Sequence, residues 1–390
     1  MPTQVRPSLA NLPRARALRV DVVAQVGAER ALCERQAIDA GVALPLTHRC
    51  AWARLRSAAG SWFLAARDPD GTCRGGFAVD VRPSRALPGH LLLRAERFGG
   101  SMADDVREAT LAALVALARR NRRVLRVNVE VFCRDDSRRG HIEETLKRHG
   151  MRPATENQRY AKTVAIDLAP DEGSILASFH ATARRHIRAV AKHPVAVRPI
   201  TDVSLAPRLD SLKLETMQRT GGTQARTDWA GPIALSAEHP HLSRIVGMFR
   251  TDREGPESLL AFAWGCAHGD HAHYDAAAST RHTDLRVPLA YALVWDLVRW
   301  ARGTGAGWFD FGGITDGRFG EAGDRLGGIS DFKRYFSREV VDVGGEWVLE
   351  PSRARAGLAR AIGGGASWAL RIRSPWSRRP AAIAPPAAGA

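Results

Sequence analysis

Residues 307–336 open with Gly-Trp-Phe-Asp-Phe-Gly-Gly-Ile over 307–314, pass through a polar loop, and close with Gly-Ile-Ser-Asp-Phe-Lys-Arg-Tyr-Phe over 328–336. Trp308–Phe311 is a short apolar run of the kind that forms a buried strand, and Asp310 is placed to order the turn after it. Phe332 and Phe336 are four residues apart and share one helical face, with Lys333 beside them. That spacing leaves two readings open. Either the aromatics face a core and Lys333 is solvated, or the Phe332–Lys333 pair is presented to a substrate.

Working outward, strand and helix patterns alternate. Upstream of the quoted stretch, Leu259–Ala267 and His271–Ala278 read as a hairpin around Gly269-Asp270, followed by a helix over Pro288–Arg302 whose Leu289, Leu293, Leu297 and Trp300 share a face. Earlier come a helix over Ser174–Lys192, a strand over Val195–Ile200, a helix over Leu205–Thr220 and another over His241–Phe249. The N-terminal half follows a similar order. A strand over residues 18–24 and a helix over Ala28–Ala40 precede a hairpin, Trp62–Ala66 with Gly76–Val81, around the Asp68-Pro-Asp-Gly turn. Then come a strand over Leu91–Glu96, a helix over Asp104–Asn121, a strand over Val124–Val131, a short helix over His141–His149, and Thr163–Leu168, expected to close the first unit. Val340–Leu349 is the last strand expected. The pattern predicts an α+β chain of two tandem units with mixed sheets, 1–168 and 169–350, and a basic tail over 351–390.

Composition bounds the function. A chain of 390 residues with 45% hydrophobic content is large enough for two cores. Its five cysteines form no CxxC pair, so a disulfide framework or zinc site is not expected and a cytoplasmic setting is. No leader-like segment opens the chain and no run of about 18 apolar residues occurs, so no membrane span is expected. The net charge of +16 attracts polyanions, although arginine-rich usage also follows from a GC-rich genome. The tail carries seven arginines and no acid, and its Pro380–Ala390 end is expected to be disordered. A basic helix over Gly357–Trp376, interrupted at Gly363-Gly364-Gly365, would suit RNA or peripheral membrane contact.

Taken with His273-Tyr-Asp-Ala-Ala-Ala-Ser279 and Phe179-His-Ala-Thr-Ala-Arg-Arg-His-Ile-Arg-Ala-Val-Ala-Lys192, the quoted stretch resembles the Fem family of aminoacyl-tRNA-dependent peptidyltransferases. That family shows Tyr-x-x-Ala-x-Ser at a strand end, a Trp-containing helix, Asp-x-Gly-Gly-Ile and Phe-Lys-x-x-Phe, in this order. Cys50-Ala-Trp-Ala-Arg-Leu-Arg56 falls at its Trp-x-x-x-Lys position, so the resemblance spans roughly residues 18–350. It implies two tandem GNAT-like (acyl-CoA N-acyltransferase-like) units. The compact, armless type is implied, because no sustained heptads occur. It further implies transfer of an aminoacyl group from tRNA onto an amine, on either a peptidoglycan precursor or a small peptide scaffold, by a monomer that needs no cofactor.

The same resemblance assigns residues. Lys333 falls at the aminoacyl ester, where a fixed cation would stabilise the oxyanion, and Phe332 could stack on the terminal adenine. Tyr274, Ser279 and Arg334 join them on the donor side. Arg54 or Arg56 stands in for the family's phosphate-binding lysine. Arg184, Arg188 and Lys192, spaced four apart, form a basic stripe suited to the acceptor's phosphates. Asn128 occupies the place of an acidic residue in the family and cannot act as a base, whereas Glu130, on the same strand face, can substitute for it.

Other motifs lead nowhere. Asp310-Phe311-Gly312 lacks the companions of a kinase magnesium motif. His268, His271 and His273 lack a clear third metal ligand, so no metal is expected. The stretches Glu96–Met102 and Thr280–Val287 lack the Gly-rich loop that holds coenzyme A pyrophosphate. Two alternatives stay open, an acyl-CoA-dependent N-acyltransferase and a non-enzymatic protein binding RNA or an anionic surface.

Overall fold

The computed structural model describes residues 18–24, 26–55, 61–155, 159–220, 227–314 and 327–362. Arg56, the part of the expected basic helix Gly357–Trp376 that lies beyond Ile362, and the expected disordered end Pro380–Ala390 lie outside them. In chain order the strands are β1 (Arg19–Ala24), β2 (Ser61–Arg67), β3 (Cys73–Pro83), β4 (Leu91–Phe98), β5 (Val124–Val131), β6 (Arg152–Pro153), β7 (Lys162–Asp167), β8 (Val195–Pro199), β9 (Ser243–Arg250), β10 (Leu259–Ala267), β11 (His271–Ser279), β12 (Trp308–Gly313), β13 (Val340–Asp342) and β14 (Glu346–Leu349). The helices are α1 (Ala28–Asp39), α2 (Cys50–Leu55), α3 (Asp104–Arg120), α4 (Asp136–Arg148), α5 (Glu172–Ser178), α6 (Ala181–Ala189), α7 (Ala206–Thr220), α8 (Ala230–Glu238), α9 (Leu289–Gly303), α10 (Gly327–Arg334) and α11 (Arg353–Ile362).

Among the described residues these strands form two seven-stranded mixed sheets, ordered β1-β2-β3-β4-β5-β14-β6 and β13-β7-β12-β11-β10-β9-β8. Each sheet has one parallel pair among antiparallel neighbours, β4 with β5 and β11 with β12. The apolar face of α3 (Val106, Leu111, Leu114, Ala118) packs on the first sheet. The face of α9 (Leu293, Leu297, Val298) packs on the second. The expected tandem α+β architecture with mixed sheets is present.

Several local expectations change. The segment His241–Phe249 is strand β9, not a helix. Its apolar residues at 242, 245, 246 and 249 imitate helical spacing. The strand is buried on both faces, Val246 and Met248 in one core and Ile245 and Phe249 in another, so it cannot alternate. The helix expected over Ser174–Lys192 breaks at Phe179-His180. Phe179 is buried against Trp295 and Phe336, and His180 caps the new helix by accepting from Thr182 N–H at 3.2 Å. Arg184 donates to the carbonyls of Ala177 and Phe179 at the end of α5. Of the basic stripe, Arg188 is exposed on α6 and Lys192 sits on the short 3-10 turn that follows.

Two strands cross between the halves. The strand expected over Thr163–Leu168 to close the first unit forms as β7, yet it pairs with β12 and β13 in the second sheet. The single last strand expected over Val340–Leu349 divides, β13 joining the second sheet and β14 slotting between β5 and β6 of the first. The tail begins as structure: α11 rests Ala356 and Ala359 against the first unit and leaves Leu358 and Ile362 exposed. The two units also touch directly. Phe132 stacks on Trp308 (6.1 Å) and Trp52 on Trp264 (6.3 Å). Gly269, at φ +87°, brings the β10–β11 turn so near Ala43 that an added Cβ would lie 2.6 Å from its carbonyl oxygen.

Candidate active site

The quoted stretch folds as strand, turn and helix, and the turn brings its lysine home. Phe336 is buried among Phe179, Phe311 and Tyr291, which fixes the C-terminal end of α10. Lys333 is therefore drawn inward and is only 4% exposed. Its Nζ donates to the carbonyl oxygen of Gly313 at 2.5 Å. Gly312 has φ +76°, and a Cβ there would meet His273 Nε2 at 3.4 Å and Lys333 Nζ at 3.7 Å. Glycine thus serves the backbone conformation and leaves room where an imidazole and an amine converge. Burial pushes the Lys333 ammonium down to about 8, against the opposing pull of Asp310.

Asp310 orders that turn as expected: its Oδ1 accepts from Gly312 N–H at 2.8 Å. It is also fully buried and accepts from Tyr160 Oη and Thr163 Oγ1, each at 2.6 Å. Arg97 Nη2 lies 3.7 Å and His273 Nε2 3.9 Å from its Oδ2. Burial opposes ionisation of this carboxyl, but His273, Arg97 and the Thr163 hydrogen bond hold it at about 2. Burial in turn drives His273 well below its ordinary value. Arg97 is a standing cation beside Asp310.

The remaining donor-side residues surround this point. Phe332 is partly buried, its ring 5.1 Å from Tyr291 and 5.3 Å from Phe336. It therefore combines the core-facing reading with a partly open face, whereas Lys333 is not solvated. Tyr274 packs 5.5 Å from Phe311, and burial raises its phenol. Ser279 ends β11 and donates its backbone N–H to Thr216 Oγ1 at 3.1 Å. Arg334 pairs with Asp331 on its own helix at 3.2 Å. Arg54 is exposed at the end of α2.

Asn128 and Glu130 lie in a different setting, inside the first sheet. Glu130 accepts from Arg97 N–H at 3.2 Å and pairs with Arg159 at 3.6 Å. Asn128 Nδ2 reaches Glu346 Oε2 at 3.5 Å. Around them Arg94 pairs with Glu346 (3.0 Å) and Glu96 (3.4 Å), and Arg159 with Glu96 (3.1 Å). Glu130 is thus a member of a buried ion-pair network and does not stand free as a base. His271 stacks against Phe132 and Trp308, with one ring nitrogen on Asp270 and the other on Arg97.

Sequence reasoning passed over Arg97 and Tyr160, and weighed His273 only within a motif and as a metal ligand. One signal for the buried amines was available. The chain has only five lysines, Lys147, Lys162, Lys192, Lys213 and Lys333, among 57 basic residues. Two of the five, Lys213 and Lys333, are buried.

No protein-family model and no curated protein matches the chain. Solved structures do. A structure of FemX superposes with a TM-score of 0.64 at 14% identity, covering 81% of this chain and 95% of that one. The C-terminal domain of a putative lysylphosphatidylglycerol synthetase from Agrobacterium fabrum gives 0.51 at 13%, covering 85% and 96%. L-PGS from Bacillus licheniformis gives 0.50 at 12%, with the same coverage. At these identities the likeness is one of fold alone, two α+β units in tandem with a mixed sheet in each. Among the described residues no helix is long and apolar enough to cross a membrane.

Proposed function

We propose that the chain transfers an aminoacyl group from an aminoacyl-tRNA to an amine. The observation that carries this reading is the buried ammonium of Lys333 at the Gly312–Gly313 turn, beside the seam between the two units. In the reaction the amine nitrogen attacks the ester carbonyl carbon and a tetrahedral oxyanion forms. The ester C–O bond then breaks, the ribose oxygen takes up the proton the amine gives up, and an amide remains. A cation fixed in a low-dielectric site stabilises the oxyanion without reorganising, and loss of such a group removes about 2.7–4 kcal/mol of transition-state stabilisation. The ester is already activated, so a cofactor is not required by this chemistry. Phe332, with its partly open ring, is the surface for the terminal adenine. The exposed Arg188 and Lys192 on the second unit, and Arg54 on the first, suit phosphates of the tRNA or the acceptor. The resemblance to FemX in fold and in the ordered motifs supports a peptidoglycan precursor or a small peptide as acceptor. We also place the protein in the cytoplasm, as a monomer.

The test is to supply radiolabelled aminoacyl-tRNA pools with candidate amines and to follow label into a base-stable amide. Transfer that falls at least about 100-fold in Lys333→Ala, with the fold retained, is the expected result. Transfer at near wild-type rate in that variant overturns the role of Lys333. Protection of the protein by coenzyme A in thermal melts, with no label leaving the RNA, would favour an acyl-CoA donor instead.

A further inference from the structure

Asp310 is a point where the two units share one charge. On the second-unit side its carboxylate holds the Gly312 N–H, the Thr163 hydroxyl and the Tyr160 hydroxyl. It thereby fixes the turn whose next carbonyl, that of Gly313, receives Lys333. On the other side stands Arg97, which belongs to β4 of the first unit. Arg97 lies at a bulge, where β4 takes three residues from Ala95 to Phe98 against two on β5. Its φ is +48°, the one positive value among the described non-glycine residues. An arginine adopts that conformation only when its surroundings over-determine it. They do so here. Its backbone N–H goes to Glu130, its guanidinium lies over the Phe132 ring at 4.1 Å, and its Nη groups reach His271 and Asp310.

We propose that Arg97, a first-unit residue, is a positioning residue for the second-unit Lys333, acting through the carboxylate of Asp310. Arg97 pairs with the carboxylate that orders the Gly312–Gly313 turn, and that turn receives Lys333, so the first unit bears on Lys333 through Asp310. The other charged and titratable groups around this trio include Glu130 on β5, Arg159 and Tyr160 ahead of β7, His268 and Asp270 at the β10–β11 turn, His271, His273 and Asp275 on β11, and Asp331, Arg334 and Tyr335 on or just after the helix of Lys333. They are the same in every variant below.

This inference rests on the acyl-transfer reading only for its effect on rate; its primary readout is the titration of Lys333 itself. With five lysines in the chain, full-length protein carrying 13C at lysine Cε gives a short list of resonances, and Lys333→Arg assigns the one that matters. The wild-type midpoint is expected at about 8. Asp310→Asn removes the negative charge and lowers the midpoint by about one pH unit or more. Arg97→Gln leaves the carboxylate unopposed and raises it by a similar amount, and Arg97→Lys returns it to the wild-type position. A merely structural role does not produce shifts of opposite sign. Where transfer activity is present, its high-pH limb moves in the same two directions. If Asp310→Asn does not fold, the Arg97→Gln and Arg97→Lys pair decides. A Lys333 midpoint unmoved by Arg97→Gln, or moved in the same direction by both charge variants, overturns the relay. Opposite shifts without any transfer from aminoacyl-tRNA uphold the relay and count against the proposed function alone.

Discussion

The parallel pairs of the two sheets handle one geometric event in opposite ways. In the first unit β4 bulges after Ala95 but pairs with β5 again at Phe98, and the space beside it is filled by Arg94, Glu96, Glu130, Arg159 and Glu346 in mutual ion pairs. In the second, β11 and β12 pair only over His271–His273 and Trp308–Asp310 and then separate. The space beyond holds Gly312, Gly313 and the Lys333 amine, with His273 and Tyr160 against the two glycines. Charges that satisfy one another make a scaffold. Lys333, a charge penalised by burial, donates to the Gly313 carbonyl near a carboxylate, and the proposed function gives that ammonium a substrate to meet. The same fold thus yields an ion-paired strut on one side and the proposed reaction site on the other.

That contrast can be broken from either side. Glu346→Gln removes one of the carboxylates paired with Arg94 inside the first sheet, and stability should fall by about 3–5 kcal/mol in urea titrations, with the rate per folded molecule nearly unchanged. Lys333→Ala should do the reverse, lowering transfer about 100- to 1,000-fold with an unaltered circular dichroism spectrum. The move from an ordinary value near 10.5 to about 8 corresponds to roughly 3 kcal/mol of penalty on the charged lysine. The unfolded chain therefore holds a proton that the folded chain has released between about pH 8 and 10.5, and the wild type should gain stability across that window relative to Lys333→Met. Below pH 8 Lys333→Met should melt at the higher temperature. A flat difference between the two proteins would mean that the ammonium is not penalised at all. Phe332→Ala should weaken the RNA donor by about 1–3 kcal/mol, read as a raised KM for aminoacyl-tRNA with kcat largely kept. Smallest of all, Arg188→Gln should leave stability within about 0.5 kcal/mol and reduce the salt slope of tRNA binding by about one.

Much of the architecture is legible in the sequence because it is local. The Asp68-Pro-Asp-Gly turn, the stripe of α3 and the Pro288-led α9 each declare themselves within one element. The strand β9 does not, since a strand buried on both faces has lost its alternation. Lys333 is found through an ordered set of short motifs, and its burial follows from Phe336, three residues on. The partners of Asp310 and the ion-pair network are out of reach of pattern reading. Arg94 and Glu346 are 252 residues apart in the chain, and Tyr160 and Asp310 are 150 apart. Glu130 shows the limit of such reading. Its position on β5 is read correctly, but a carboxylate takes its role from its neighbours, and those come from Arg97 and Arg159.

The exchange of β7 and β14 bears on how the molecule is made. The first sheet lacks an inner strand until residues 346–349 have left the ribosome, so its β5 and β6 edges wait through synthesis of nearly the whole second unit. Cutting the chain after residue 168 would strand a piece of each sheet on the wrong fragment. The two halves are therefore expected to melt in one transition, and a ribosome-tethered chain stopped before residue 346 should remain sensitive to protease in its N-terminal half.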